Sequence, residues 1–140
     1  MSETRTAGQT PVSALMADII VKVPPDATIL DVVEALSGGD VGVVAVMEGG
    51  RVLGVVSERD VIGALAHHRP LGTRAIDVAS KDLAWCDADA TVTEVANEMA
   101  ERFIRHVLVE RKGKLVGIVS SRDLLGFYAT EDMAGGDDVD

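Results

Sequence analysis

The chain has 140 residues, a mass of 14.7 kDa, 47% apolar residues and a formal net charge of −10. This length suits one domain-sized unit with a hydrophobic core. The acidity disfavours nucleic acid and anionic membranes as partners, because both attract basic patches. No apolar segment is long enough to span a membrane and no secretory leader is evident, so the expected location is the cytoplasm. The single cysteine, Cys86, excludes an intrachain disulfide.

An internal repeat organises the chain. Displaced by 63 residues, the sequence aligns with itself without a gap, and 14 of the 41 positions from Asp26 to Ala66 are identical to their partners. Twelve of the other 27 positions exchange one apolar residue for another. One repeat of about 60 residues is marginal as an independent core, so the two repeats are expected to pack together with pseudo-two-fold symmetry.

Each repeat predicts the same elements in the same order. Thr28 and Thr91 begin helices, because each is followed three positions later by an acid, the spacing of a capping box. A predicted β-hairpin follows in each repeat, with apolar strands that are expected to be buried on both faces. The strands span residues 43–47, 52–56, 106–110 and 115–119. Ser57 and Ser120 then begin the last helices by the same capping logic.

The predicted organisation has five segments: a disordered N-terminal tail, repeat 1, a linker, repeat 2 and a disordered acidic tail. They occupy residues 1–10, 11–66, 67–73, 74–130 and 131–140. The last ten residues contain five acids and no base, which is typical of a solvated terminus.

The most specific motif is Gly-h-h-Ser-x-x-Asp, where h is apolar, at the junction of the second hairpin strand and the last helix. It occurs at residues 54–60 and again at residues 117–123. With its surrounding elements, this motif resembles the CBS-domain pair, or Bateman module, over residues 12–129. The resemblance implies an α+β fold of two tandem β-α-β-β-α repeats and a homodimer of such pairs.

The resemblance also implies a regulatory function without catalysis. Members of the family bind AMP, ADP, ATP or S-adenosylmethionine in clefts between the repeats and regulate an effector protein, which this sequence does not identify. The adenosine nucleotide is then a regulatory ligand, and no other cofactor and no metal are expected. No fused effector domain is expected. Two alternatives remain open, an interaction scaffold with vestigial clefts and an S-adenosylmethionine sensor.

Polar residues at the two junctions are the candidate ligand-binding groups. The resemblance implies that Asp60 and Asp123 accept hydrogen bonds from ribose hydroxyls, and that Ser57 and Ser120 contact phosphate or ribose. A carboxylate suits two adjacent hydroxyls, and a helix N-terminus suits an anion. The alternative is that each Ser-Asp pair only caps its helix.

Basic residues are expected to contact the phosphates. The resemblance gives this role to Arg59 and Arg122, and to Arg105 and His106 at the start of the second hairpin, whereas repeat 1 has Gly42-Val43 there. It implies that Arg105, His106 and Arg122 surround the phosphate of the ligand whose ribose Asp60 holds. We therefore expect the Asp60 site to bind phosphate more tightly than the Asp123 site. Solvated side chains are the alternative.

Apolar residues are expected to line the base pocket. The resemblance implies this role for four residues: Val55, Ile118, Ala27 and Ala90. Ordinary core packing is the alternative for all four, and core packing is also the favoured prediction for Trp85. No dinucleotide-binding, P-loop or nucleophile-elbow motif occurs, so the chain is not expected to be an enzyme.

Overall fold

The computed structural model describes the backbone of residues 6–136 and the side chains of residues 6–130. It contains two compact units. The first-repeat unit consists of residues 20–83. The second-repeat unit consists of residues 84–136 together with residues 6–19.

The first-repeat unit contains a three-stranded sheet and three helices. Its elements are β1 (Lys22–Val23), α1 (Ile29–Gly39), β2 (Val43–Glu48), β3 (Arg51–Ser57), α2 (Glu58–Ala66) and α3 (Ala75–Val78). The strand order is β1-β2-β3, with β1 parallel to β2 and β2 antiparallel to β3. The parallel pair is joined through α1, and the antiparallel pair is the predicted hairpin.

The second-repeat unit has the same topology. Its elements are a 3-10 helix (Val12–Ala14), β4 (Trp85–Asp87), α4 (Val92–Arg102), β5 (His106–Arg111), β6 (Lys114–Ser120) and α5 (Ser121–Gly136). The strand order is β4-β5-β6, again with one parallel and one antiparallel pair. The β-α-β-β-α order therefore occurs twice, which confirms the predicted α+β fold class.

The local signals in the sequence account for these elements. Thr28 and Thr91 each form a complete capping box, with Asp31 and Glu94 as the acidic partners. The middle residues of both first hairpin strands are buried, which confirms strands covered on both faces. These residues are Val44, Ala45, Val46, Val107, Leu108 and Val109. Each unit has its own apolar core cluster.

Segments outside the predicted repeat cores complete each unit. In the first-repeat unit, the amide of Ile29, at the start of α1, donates to the carbonyl of Thr73 at 2.9 Å. In the second-repeat unit, the amide of Val92, at the start of α4, donates to the carbonyl of Thr10, also at 2.9 Å. These carbonyls satisfy helix donors that have no partner within the helix.

The units therefore divide the chain differently from the predicted segments. Residues 11–19 belong to the second-repeat unit and residues 74–83 to the first-repeat unit. Within the predicted N-terminal tail, Ala7 and Thr10 are both buried. Ala7 belongs to the core cluster of the second-repeat unit. Residues 1–5 and 137–140 of the predicted tails lie outside the described residues. Helix α5 continues to Gly136, beyond the predicted end of repeat 2 at residue 130.

The glycine of each junction motif permits a close approach of the backbone. A Cβ on Gly54 would lie 2.9 Å from the carbonyl oxygen of Ser80, and one on Gly117 would lie 2.8 Å from the carbonyl oxygen of Ala17. Those two carbonyls accept hydrogen bonds from the amides of Val55 and Ile118. The segments that contain Ser80 and Ala17 can pack this closely against the strands only if residues 54 and 117 are glycine.

Candidate functional site

The first junction lies where β3 ends at Ser57 and α2 begins at Glu58. The amide of Ser57 donates to Oδ2 of Asp60 at 2.9 Å, and the Ser57 hydroxyl donates to the same oxygen at 3.0 Å. The amide of Asp60 donates to the Ser57 hydroxyl oxygen at 3.2 Å. This capping box fixes the carboxylate at the helix start, while Oδ1 takes no part in it.

The second junction repeats this arrangement between β6 and α5. The amide of Ser120 donates to Oδ2 of Asp123 at 2.8 Å, and the amide of Asp123 donates to the Ser120 hydroxyl oxygen at 3.1 Å. Both aspartates are half-buried. Capping therefore accounts for the Ser-x-x-Asp spacing at both junctions. It also holds each carboxylate in one orientation, as a binding group requires.

Within the second-repeat unit, the structure brings the predicted basic pair beside the Asp123 junction. His106 pairs with Ser120 in the hairpin, and the amide of Ser121 donates to the carbonyl of Arg105 at 2.8 Å. Arg105 is exposed and His106 is half-buried. The backbone of Arg105 therefore contacts the first turn of α5.

The first-repeat unit has different chemistry at the equivalent place. The amide of Glu58 donates to the carbonyl of Gly42 at 3.0 Å, and Val43 pairs with Ser57. Oε1 of Glu58 lies 3.1 Å from the position that a Cβ on Gly42 would occupy. The sequence motifs predict no role for Glu58. One sequence signal pointed to Glu58: the repeated motif has an acidic residue at this position in repeat 1 and a neutral residue, Ser121, in repeat 2.

The other predicted contact residues differ in exposure. Arg59 and Arg122 are exposed second residues of their helices. The remaining four candidates are apolar. Ala27 belongs to the core cluster of its unit and Ala90 packs against the other core cluster, as the core alternative predicts.

Val55 and Ile118 are buried beside the junctions. Each forms a pair of backbone hydrogen bonds, Val55 with Ser80 and Ile118 with Ala17. Neither belongs to the two core clusters, although their exposed fractions are only 8% and 5%. They come two residues before Ser57 and Ser120, so each lies on the strand that leads into a junction.

Strand β4 contains Trp85 and Cys86, the tryptophan and the single cysteine of the chain. Trp85 is 38% exposed, so its predicted core packing is wrong. Cys86 is half-buried, and burial, followed by the nearby carboxylates of Glu98, Asp87, Glu110 and Glu94, raises the pKa of its thiol from 9.0 to about 11. The thiol stays protonated at neutral pH, which suits a structural cysteine better than a redox sensor.

The matches with known proteins agree with the repeated fold. The CBS-domain family model matches residues 12–67 and again residues 75–130. The chain belongs to the CBS-domain family. As a tandem CBS pair it is a regulatory module, and CBS-domain proteins of this kind are generally regulatory rather than catalytic.

One sequence relative and two solved structures illustrate the similarity. An uncharacterized 17.7 kDa protein of Acidianus ambivalens is 31% identical over 117 residues, which cover 82% of this CBS pair and 71% of the relative. The CBS domain protein PAE2072 from Pyrobaculum aerophilum, solved in complex with AMP, is 32% identical. It has a TM-score of 0.74 and covers 85% of this chain and 98% of its own.

The second structure is the CBS domain pair of protein MJ0100, in complex with 5′-methylthioadenosine and S-adenosyl-L-methionine. It is 20% identical, with a TM-score of 0.78, and covers 87% of this chain and 98% of its own. At this identity it supports the fold of the CBS pair alone.

The described residues contain neither a membrane-spanning helix nor a metal-binding cluster. None of its described helices combines the length and apolarity needed to cross a membrane. Between residues 6 and 130, His, Cys, Asp and Glu side chains form no group of three that could hold a metal ion.

Proposed function

We propose that this CBS pair is a sensor that binds adenosine nucleotides, AMP, ADP or ATP, and thereby modulates a partner protein. The observation that carries the proposal is the Ser-Asp arrangement, present at both strand–helix junctions with the same geometry. A relative 32% identical to this chain, solved in complex with AMP, supports the ligand class.

The chemistry of the junctions suits a nucleoside. In our proposal, Asp60 and Asp123 accept hydrogen bonds from the ribose hydroxyls through Oδ1, the oxygen that the capping boxes leave out. Ser57 and Ser120 stand at helix starts, where backbone amides favour an anion.

Other residues are proposed to contact the base and the phosphate of the nucleotide. In our proposal, Val55 and Ile118 contribute apolar contact to the base, and so do Ala27 and Ala90. Arg59, Arg122, Arg105 and His106 supply positive charge for phosphate, and a guanidinium can bind a phosphate with two parallel hydrogen bonds.

Regulation requires more than binding. A ligand shifts a conformational equilibrium only by its difference in affinity for the two states. The proposed sensor therefore acts on a partner through a state that the nucleotide stabilises. The module binds and releases its ligand unchanged, without catalysing a reaction.

Isothermal titration of the purified protein with AMP tests the ligand class. ATP and S-adenosylmethionine are the comparison injections. We expect saturable heat with micromolar affinity for a phosphorylated nucleotide. Preference for S-adenosylmethionine would instead support the alternative of an adenosyl sensor, and no heat with any of the three from a folded sample would support a protein-interaction scaffold.

We also propose that the CBS pair forms a homodimer through the exposed apolar faces of α2 and α5. Ile62 and Leu65 on α2 are 64% and 42% exposed. The residues 63 positions later on α5, Leu125 and Tyr128, are 69% and 38% exposed. A surface presented twice in one chain suits a self-complementary interface with a second copy.

Sedimentation equilibrium tests the dimer. We expect a mass about twice 14.7 kDa for the wild-type protein, and a monomer for the double variant Ile62→Glu/Leu125→Glu, because a buried unpaired charge opposes association. Phe103→Glu is the matched control, since Phe103 is 94% exposed but lies outside both helices. A monomeric wild-type protein, or a dimer that survives the double substitution, would contradict the proposed interface.

A further inference from the structure

The tip of the first hairpin, residues 48–51, follows the local rules for a stable turn. Glu48 at the end of β2 lies directly opposite Arg51 at the start of β3, so opposite charges face each other across the strands. Gly49 and Gly50 form the two-residue turn, with φ angles of 58° and 81°. Hairpin turns of this length favour positive φ angles, which glycine adopts without strain.

The tip of the second hairpin, residues 111–114, breaks both rules. Arg111 lies directly opposite Lys114, and like charges in this position destabilise a hairpin. Lys112 takes the first position of the turn with a φ angle of 54°, where a side chain costs more than the hydrogen of glycine. Natural proteins depart from such local rules chiefly at functional sites.

The positive charge of the second hairpin tip is mostly uncompensated. Its three basic side chains are exposed. Within the described part of the chain, Nη2 of Arg111 lies 3.7 Å from Oδ1 of Asp89, and neither Lys112 nor Lys114 lies within ion-pair distance of a carboxylate. Three cations and one carboxylate leave the tip with a formal charge of +2.

This charge contrasts with the chain as a whole, which carries −10. Three of the 13 Lys and Arg residues fall within residues 111–114, and no other stretch of four residues contains three. A long polyanion, such as a nucleic acid or an anionic membrane, would also meet the negative charge of the rest of the protein. A short acidic segment can contact the tip alone, because the Debye length is only about 8 Å at physiological ionic strength.

The shape of the second hairpin tip suits an extended partner. No atom of the described residues lies within 4 Å of a Cβ position at Gly113, so the turn stands open to solvent. We infer that this tip docks a short acidic segment of a partner protein, whose carboxylates pair with Lys112, Lys114 and Arg111. The inference goes beyond nucleotide binding and does not depend on it.

An NMR titration of the full-length, nitrogen-labelled protein with a hexaglutamate peptide tests this inference. We expect the largest changes in amide chemical shift at residues 111–114. Lys112→Glu/Lys114→Glu should lower the affinity for the peptide at least about tenfold, because each exposed ion pair contributes a factor of up to about five and reversal adds repulsion. Salt at about 0.5 M should weaken the binding to the wild-type protein.

Lys22→Glu/Lys81→Glu is the matched control. Both lysines are exposed, and this double substitution changes the net charge by the same amount. The control should bind the peptide within about twofold of the wild-type affinity, because screening weakens the effect of distant charges. Circular dichroism verifies that each variant is folded. An equal loss of affinity in the two double variants would overturn the inference, because net charge and not the tip would then govern binding.

The single substitution Lys114→Glu separates binding from stability. It restores an opposite-charge pair like that of Glu48 and Arg51, so we expect the Tm to rise by about 1–4 °C while the affinity for the peptide falls. A lower Tm would show that the cations of the tip stabilise the fold, and would overturn the inference.

Other anions distinguish the class of partner. Hexathymidine oligonucleotide and phosphatidylserine vesicles are the comparison additions, and stronger binding of either at residues 111–114 would overturn the assignment to an acidic protein segment. Absence of shift changes at the tip with hexaglutamate would overturn the inference and leave the proposed nucleotide binding in place. A protein that bound hexaglutamate but not AMP would contradict only the proposed function.

Discussion

Replacing both Asp60 and Asp123 with glutamate should abolish nucleotide binding and leave the fold intact. Glutamate keeps the negative charge and can complete a capping box, as Glu94 does with Thr91 in this chain, where the Thr91 amide donates to the glutamate at 3.1 Å. Its longer side chain displaces the carboxylate from its position in the proposed site. The substitution therefore separates the capping role of the aspartates from the ribose-binding role.

The expected loss is large because the ribose bonds are charge-assisted. A hydrogen bond to an ionised group contributes about 1.5–3 kcal/mol, so the loss of one such bond lowers affinity by about 10–100-fold. Titration calorimetry with AMP measures this loss for each single variant and for the double variant. The free energy of unfolding should change by less than about 0.5 kcal/mol per substitution, since a capping box with glutamate replaces one with aspartate.

Asp31→Glu is the matched control. Asp31 completes the capping box of α1 with Thr28, and it is not among the proposed ligand-binding residues. This control should bind AMP as the wild-type protein does. If the double variant also bound AMP with wild-type affinity, the two aspartates would be helix-capping residues only.

Alanine at Gly54 or Gly117 should destabilise the protein more than any surface substitution. A Cβ on Gly54 would meet the Ser80 carbonyl oxygen at 2.9 Å and the Cβ of Ala79 at 3.0 Å. A Cβ on Gly117 would meet the Met16 side chain and, at 2.8 Å, the Ala17 carbonyl oxygen. Relief of either contact requires movement of a backbone segment that is hydrogen-bonded to the strand.

We expect each substitution to lower the free energy of unfolding by about 1–3 kcal/mol, the usual cost of an added group in a closely packed site. Urea denaturation followed by circular dichroism measures the change. Gly63→Ala in α2 is the matched control, because nothing lies within 4 Å of its Cβ position. It should raise stability by about 0.5–1 kcal/mol, since alanine favours a helix more than glycine does. Equal stabilities of the Gly54→Ala, Gly117→Ala and wild-type proteins would contradict the proposed close approach.

The elements that the sequence predicts correctly depend on neighbouring residues. The capping boxes at Thr28, Ser57, Thr91 and Ser120 are recognisable because both partners lie within four positions of each other. The hairpins are recognisable because two short apolar runs flank a turn. The repeat strengthens each of these signals, since the same pattern recurs 63 residues later.

The segments that complete each unit were missed for a physical reason. Residues 7–10 look like a polar terminus, but the carbonyls of Ala7 and Thr10 accept hydrogen bonds from the first turn of α4. A backbone carbonyl has no sequence signature, so composition alone misreads this stretch as disordered. A weak signal existed, because Thr10 lies 63 residues before Thr73, whose carbonyl has the same role at the start of α1.

The candidate site divides in the same way. The duplication, the strand–helix junctions and the Ser-Asp pairs can be read from the sequence, because all of these depend on residue type and short spacing. The fold is needed to see which chain segment completes each unit, why Gly54 and Gly117 must be glycine, and which residues meet the first residue of each last helix. Those features arise where residues distant in sequence meet, as Gly42 meets Glu58 and Arg105 meets Ser121, and contacts of that kind exist only once the chain has folded.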